Sequence, residues 1–182
     1  AAGSAKRFRN LIGYTWGTGF GVGIVSDNRL HIGDNSCVET FCLRHKDLPD
    51  INVEEGVSIR AVKRLYAEYA GVDDDTRDPK AIFEIGEVAG DAMATAVTLI
   101  DGLIVIGGGI TAARKYILPS LLAEMRGSLH TFSGETLPRV QMKVYDLDDA
   151  TQFAAFAQGD SRRIKVYGSD REIVYDPQKR IG

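Results

Sequence analysis

The chain has 182 residues, 44% of them apolar and 26% charged, with a formal net charge of −3 and a pI near 5.6. That balance describes a folded globular chain with an apolar core and excludes a disordered or fibrous one. The small negative charge gives the chain as a whole no electrostatic footprint for nucleic acid or for an anionic membrane. The most apolar stretch, AVTLIDGLIVIGGGI at 96–110, is cut by Asp101 and four glycines and falls short of the roughly 20 apolar residues that cross a bilayer. The first residues are small and basic without an apolar run, and the chain has two cysteines; together these lead us to expect a reducing, cytoplasmic setting.

In chain order, residues 10–16 and 21–26 are short β-prone runs, and SDNR at 26–29 is a turn before a third run, Leu30–Ile32, so a β-meander is predicted. From Val57 the period changes. Ile59, Val62, Tyr66 and Tyr69 recur at three and four while Arg60, Lys63, Arg64 and Glu68 take the other face, which predicts an amphipathic helix closed by Gly71. DDDTRDP at 73–79 reads as an acidic, solvated loop. A second helix follows from Lys80 to about Ile100, with Ile82, Ile85, Ala89, Met93, Ala96 and Ile100 in line. Its small residues Gly86, Ala89, Gly90 and Ala94 leave room for another helix.

LIVI at 103–106 is a fully apolar strand, which implies a buried central position. After GGG comes a third helix with Thr111 as N-cap, Leu118, Leu121, Leu122 and Met125 on its buried side, and Pro119 inside it, where the helix kinks or begins. RVQMKVYDL at 139–147 alternates as a strand does, residues 150–157 form a short helix, and RIKVY and REIVY around GSD form a terminal hairpin. Strands alternate with helices, so the class is α/β.

Two glycine clusters carry the functional signal. GTGFGVG at 17–23 superficially resembles a dinucleotide fingerprint, but that fingerprint opens a helix and here the next residues, IVSDN, continue as a strand. A strand–glycine turn–strand presents backbone N–H groups to an anion such as phosphate; Gly17 and Gly19 permit positive φ and close approach, and Thr18 adds a hydroxyl. The alternative is a bulged hairpin that needs only tight packing. LIVIGGGIT at 103–111 delivers Gly107, Gly108 and Gly109 to a helix N-terminus, where unpaired N–H groups favour negative charge and bare backbone leaves room for a nucleobase or ribose. Its alternative is a tight strand-to-helix turn. One ligand held between the two turns accounts for both. A nicotinamide site is a further reading, because Gly107-x-Gly109-x-x-Ala112 follows a strand. That site requires an acidic residue about 20 positions on, and here the next strand ends only at Asp146.

LIGYTWGTGFGVGIVSDNRLHIG and AVTLIDGLIVIGGGI resemble, in that order and with the right kind of helix between them, the glycine loop and adenosine-motif strand of the ROK family (repressors, open reading frames and kinases). The resemblance covers roughly residues 10–157. It implies an α/β, actin-like ATPase (ribonuclease H-like) lobe with a mixed sheet flanked by helices. It also implies transfer of the γ-phosphate of ATP, with Mg2+, to a hexose or N-acetylhexosamine, as in glucokinase, or else a sugar-responsive transcriptional regulator. A homodimer is expected, and neither nucleic acid nor membrane as partner of this chain. The family's N-terminal lobe, with the aspartate base, has no counterpart here. Residues 1–182 therefore read as the C-terminal nucleotide-binding lobe, 158–182 as a hairpin extension of it, and no catalytic residue is assigned to this chain.

On that resemblance, Gly17, Thr18 and Gly19 hold the β and γ phosphates, and Gly107, Gly108 and Gly109 lie beside the adenosine. Glu39 falls within one position of the family's sugar-binding glutamate, a place Thr40 occupies by direct count; a solvent-facing or capping glutamate is the alternative. The family's Gly-His and cysteine-rich zinc motif is replaced by GDNSCVETFCLRHKDLPD. Cys37, Cys42 and His45 offer three ligands where structural zinc takes four, so no metal is assigned and two buried thiols beside a surface histidine are expected. The helix pair around DPKAIFEIGEVAGDA is shorter than is usual in the family. His31 and His130 read as surface or packing residues, Trp16 as core, and the basic terminal hairpin as a cover for a sheet edge.

Overall fold

The structure is a computed structural model that describes residues 8–70 and 79–182, with side chains described outside 66–82. The expectations placed on Tyr66, Glu68, Tyr69, Gly71, the acidic 73–79 run, Ile82 and the shortening near residue 79 lie outside what it describes. The chain divides into two compact units, Ala1–Val140 and Gln141–Gly182.

The first unit is built on a mixed sheet in the order β3-β2-β1-β4. The meander is as predicted: β1 (Leu11–Trp16), β2 (Phe20–Ser26) and β3 (Arg29–His31) pair antiparallel. Alternation gives β1 two faces. Ile12, Tyr14 and Trp16 are buried, and opposite them on β2 stand Ile24, Val22 and Phe20. Gly13, Thr15, Gly21 and Gly23 take the other face. The 38–40 turn passes over Gly21, with the Glu39 carbonyl 3.6 Å from where a Cβ would stand, an ordinary contact. β4 (Leu103–Gly107) pairs parallel with β1 from Leu11↔Leu103 to Thr15↔Gly107. Its predicted central burial is not found: it is the last strand of this sheet, only Leu103 is buried, and Val105 is 39% exposed.

Among the described residues of the unit, four α-helices accompany the sheet: α1 (Glu54–Val57), α2 (Ile59–Ala70), α3 (Pro79–Ile100) and α4 (Arg114–Met125). Of the predicted line on α3, Ile85, Ala89, Met93 and Ala96 are buried and Ile100 is half-buried, and Val88, Ala92, Ala94 and Val97 are buried beside them. α2 is rotated from expectation, because Ala61 and Leu65 are buried while Ile59 is 40% exposed. Ser58, with extended ψ of 171°, separates α1 from α2 and resets the phase of the helix. The small residues of α3 do admit α4. A Cβ on Gly86 would stand 2.6 Å from the Ile117 carbonyl and would strike Ser120 Oγ, and one on Gly90 would stand 2.6 Å from the Leu121 carbonyl. α4 accordingly buries Ile117, Ser120, Leu121 and Met125, with Leu118 and Leu122 half-buried, and it runs through Pro119. Thr111 does not cap it. A 3-10 turn, Gly109–Ala113, comes first, and within it Thr111 Oγ1 donates to the Gly108 carbonyl at 2.7 Å. A short hairpin, β5 (Ser128–His130) and β6 (Thr136–Pro138), closes the unit.

In the second unit the alternating 139–147 run yields a strand of only two residues, β7 (Lys143–Val144). Helix α5 (Ala150–Gln158) is capped by Asp149, whose carboxylate accepts from Gln152 N at 2.8 Å. The predicted terminal hairpin is β8 (Arg162–Lys165) with β9 (Glu172–Tyr175), and β10 (Arg180–Ile181) pairs parallel with β7. Among the described residues no helix is long and apolar enough to cross a membrane.

Candidate functional site

Parallel pairing of β1 with β4 sends both strands toward the same sheet edge, and the ladder ends at Thr15↔Gly107. The residues that follow are therefore neighbours. A Cβ on Gly17 would lie 3.7 Å from Gly109 N, and one on Gly109 would meet nothing within 4 Å. The two glycine clusters thus converge on one patch of bare backbone with open space above Gly109.

The glycines divide the work differently from expectation. Neither Gly17 nor Gly19 adopts positive φ; the left-handed residue is Gly108, with φ 101° and ψ 176°. Its conformation is essentially restricted to glycine. A Cβ there would stand 2.8 Å from Trp16 N and C and would strike the Trp16 carbonyl. Gly108 is consumed by the close approach of the chain leaving β4 to the Trp16 backbone at the end of β1, whereas Gly109 faces open space beside Gly17.

The 17–19 turn is held on its polar side by the α1–α2 segment. Ile59 N donates to the Gly17 carbonyl at 3.0 Å, Arg60 Nη1 to the Thr18 carbonyl at 3.5 Å, and Gly17 N to the Gly19 carbonyl at 2.9 Å. The next amide, Phe20 N, donates to Glu54 Oε2 at 3.1 Å. The three carbonyls of the turn are therefore engaged, while the amides of Thr18 and Gly19 have no partner among the described residues. This corrects the picture of a continuous row of outward N–H groups, since Gly17 N is turned back into the turn. What is left is a pair of donors with the exposed Thr18 side chain beside them. Glu54 is held below the ordinary glutamate range, first by the Phe20 N–H and then by Arg60, whose Nη2 lies 2.9 Å from Glu54 Oε1 and 2.8 Å from Glu55 Oε1. Trp16, buried as predicted, donates from Nε1 to the Val57 carbonyl at 2.7 Å. Sequence reasoning missed Glu54 and Arg60; two adjacent glutamates opening a helix were the available signal.

Glu39 lies in a single 3-10 turn, Val38–Thr40, with its side chain exposed. The turn is anchored by Phe41, which makes edge contacts with Tyr14 and Phe20 at ring-centroid separations of 5.7 and 5.8 Å. Glu39 is thereby carried over β2 near Gly21 rather than into the glycine turn. The cysteine and histidine expectations are reversed. Cys37 and Cys42 are exposed, and His45 is 2% exposed. Its Nδ1 accepts from Asp47 N and Leu48 N at 3.1 and 3.3 Å, and its ring occupies the place a Cβ on Gly56 would take. Cys37 donates to the Asn35 carbonyl and Cys42 accepts from Asn52, so each prospective ligand has a different partner. Among the described residues no group of three or more His, Cys, Asp or Glu side chains is placed to hold a metal ion.

A mixed sheet flanked by helices, with two glycine turns meeting at one edge, defines a lobe of the actin-like ATPase fold. Comparison with known proteins narrows this. The chain is 30% identical over 204 aligned positions to an N-acetylgalactosamine kinase of Shewanella sp. (strain ANA-3), covering 96% of the chain and 62% of that protein. It superposes on the crystal structure of a glucokinase from Parabacteroides distasonis with a TM-score of 0.83 and 47% identity, over 98% of the chain and 54% of that structure. A ROK-family glucokinase from Streptomyces griseus, solved with glucose and AMPPNP, shares the fold at 20% identity and a TM-score of 0.53, over 69% of the chain and 54% of that structure. No family model matches the chain. The relatives of higher identity are sugar kinases, and the chain shares its fold with ROK-family proteins. It spans little more than half the length of the relatives it matches.

Proposed function

We propose that the full-length protein is an ATP-dependent sugar kinase, phosphorylating a hexose or N-acetylhexosamine, and that this chain is its C-terminal, nucleotide-binding lobe. The observation that carries the reading is the convergence of Gly17 with Gly109 at the end of the β1–β4 ladder. Bare backbone bordering the open space, and the Thr18 and Gly19 amides left without a partner among the described residues, support a nucleotide there. In this reading Gly17, Thr18 and Gly19 receive the β and γ phosphates, Gly107 and Gly109 border the adenosine, and Gly108 fixes their relative position. Glu39 accepts hydrogen bonds from sugar hydroxyls. Phosphoryl transfer needs chiefly positioning and charge stabilisation, which a fixed pair of amides supplies without reorganising. Mg2+, when bound together with the nucleotide, would offset phosphate charge; no side chain of this lobe is assigned to it. The base that accepts the hydroxyl proton is assigned to residues outside this chain.

The experiment is ATP consumption by the full-length protein across glucose, N-acetylglucosamine, N-acetylmannosamine and N-acetylgalactosamine. Turnover with at least one and ADP release matched to sugar phosphate supports the kinase reading. Sugar binding without turnover of any of them refutes it in favour of a regulator.

A further inference from the structure

We propose that Glu54 and Arg60 are positioning residues of the glycine turn: Glu54 fixes the exit of the turn through the Phe20 amide, and Arg60 holds the Thr18 carbonyl while reducing the carboxylate charge beside the phosphate site. The inference rests on the kinase reading.

A turn made of Gly17, Thr18 and Gly19 has little intrinsic preference for one shape, because glycine populates many backbone conformations. Something outside the turn must select the shape in which Thr18 N and Gly19 N face outward, and the contacts that do so come from one short segment. Glu54 Oε2 is 3.1 Å from Phe20 N and also stands 3.0 Å from where a Cβ of Gly19 would be. Glycine at 19 is therefore the residue that admits the Glu54 carboxylate. Arg60 reaches the Thr18 carbonyl with Nη1 and both glutamates with Nη2.

Charge makes the arginine necessary. Two carboxylates next to the turn oppose the approach of a polyphosphate, and an attractive amide pair alone does not offset them at short range. Arg60 offsets one of these two negative charges while leaving the Glu54 oxygen on Phe20 N. The guanidinium suits the task because its planar fork serves several acceptors at once, which an ammonium does less well.

The test compares ATP with AMP, because a residue that shapes the phosphate turn affects the first far more than the second. Calorimetric titration of the full-length protein with each nucleotide should show Glu54→Ala and Arg60→Met weakening ATP by about tenfold and AMP by less than about twofold. Arg60→Lys should retain more ATP affinity than Arg60→Met. Glu54→Gln, which keeps an oxygen for Phe20 N but leaves Arg60 one partner fewer, should fall between wild type and Glu54→Ala. Circular dichroism confirms folding of each variant. If ATP and AMP affinities fall equally, or neither changes while the wild type binds ATP, the positioning role is overturned and the kinase reading stands. A wild type that binds no ATP overturns both.

Discussion

Adjacent glycines of the 107–109 turn are expected to fail in different ways when substituted. Gly108 lies at φ 101° and ψ 176°, a region that costs a non-glycine residue about 1–3 kcal/mol. An added Cβ also meets the Trp16 backbone, with N and C at 2.8 Å. Trp16 is 1% exposed and lies in the ladder with Phe20, so its backbone cannot yield without disturbing the sheet. Gly108→Ala should therefore cost close to 3 kcal/mol, the upper end of that range, and lower Tm by about 6–12 °C in a domain of this size. Gly109 has open space where a Cβ would go and no positive φ. Gly109→Val should hold stability within about 0.5 kcal/mol while filling the nucleotide space and weakening ATP at least tenfold, about 1.4 kcal/mol. Differential scanning fluorimetry without ligand, followed by calorimetric titration with ATP, separates the two effects. The reasoning is refuted if Gly108→Ala melts with the wild type, or if Gly109→Val melts normally and binds ATP undiminished.

Three more outcomes are expected. Gly86→Ala should destabilise the first unit by about 1–3 kcal/mol in urea unfolding, because its Cβ enters the α3–α4 contact at Ile117 and Ser120; an unchanged midpoint would contradict that crossing. Glu39→Gln should raise the sugar Kd more than tenfold, given the roughly 1.5–3 kcal/mol of a charged hydrogen bond, and leave ATP binding intact; undiminished sugar affinity would assign the contact to another residue. His45 is held below its ordinary value of 6.5 chiefly by burial, with Arg64 acting the same way and Asp47 and Glu84 opposing it. As pH falls below about 6.5 the unfolded chain takes up this proton first, so stability declines until the lower folded value is passed. Urea midpoints at pH 7.5 and 5.5 should differ less in His45→Asn than in the wild type, and an equal difference would exclude His45 as the source.

What the sequence could and could not disclose follows from the range of the interactions involved. The meander, α3 and its close contact with α4 were legible because strand alternation and the Gly86, Ala89, Gly90 spacing are local patterns with one physical solution. The terminal hairpin was legible from its turn. LIVI at 103–106 was read as central because apolar runs suit a strand covered on both faces, but the run cannot say how many neighbours the strand acquires, and β4 pairs in this sheet with β1 alone. The 139–147 alternation met the same limit, since a side-chain period does not supply a partner. Burial of His45 depends on Gly56, a residue of another element whose missing side chain makes room for the imidazole. At the glycine turns the sequence indicated which residues gather but not which one bears the strained backbone. That depended on the register of β1 against β4, and the grip of Glu54 and Arg60 on the turn depended on contacts from a segment distant in the chain.

That register has a consequence for how the protein comes into being. β1 and β4 are neighbours in space but are separated along the chain by two strands and by α1, α2 and α3. Parallel pairing over such a separation requires a long loop to close before its contacts are made, and ordering of this kind is slow. The meander and the α3 helix can form early from nearby residues, whereas the bare backbone patch does not exist until β4 reaches β1. Nucleotide capture should therefore be among the last properties a refolding chain acquires, appearing with or after the slowest change in its spectroscopic signal.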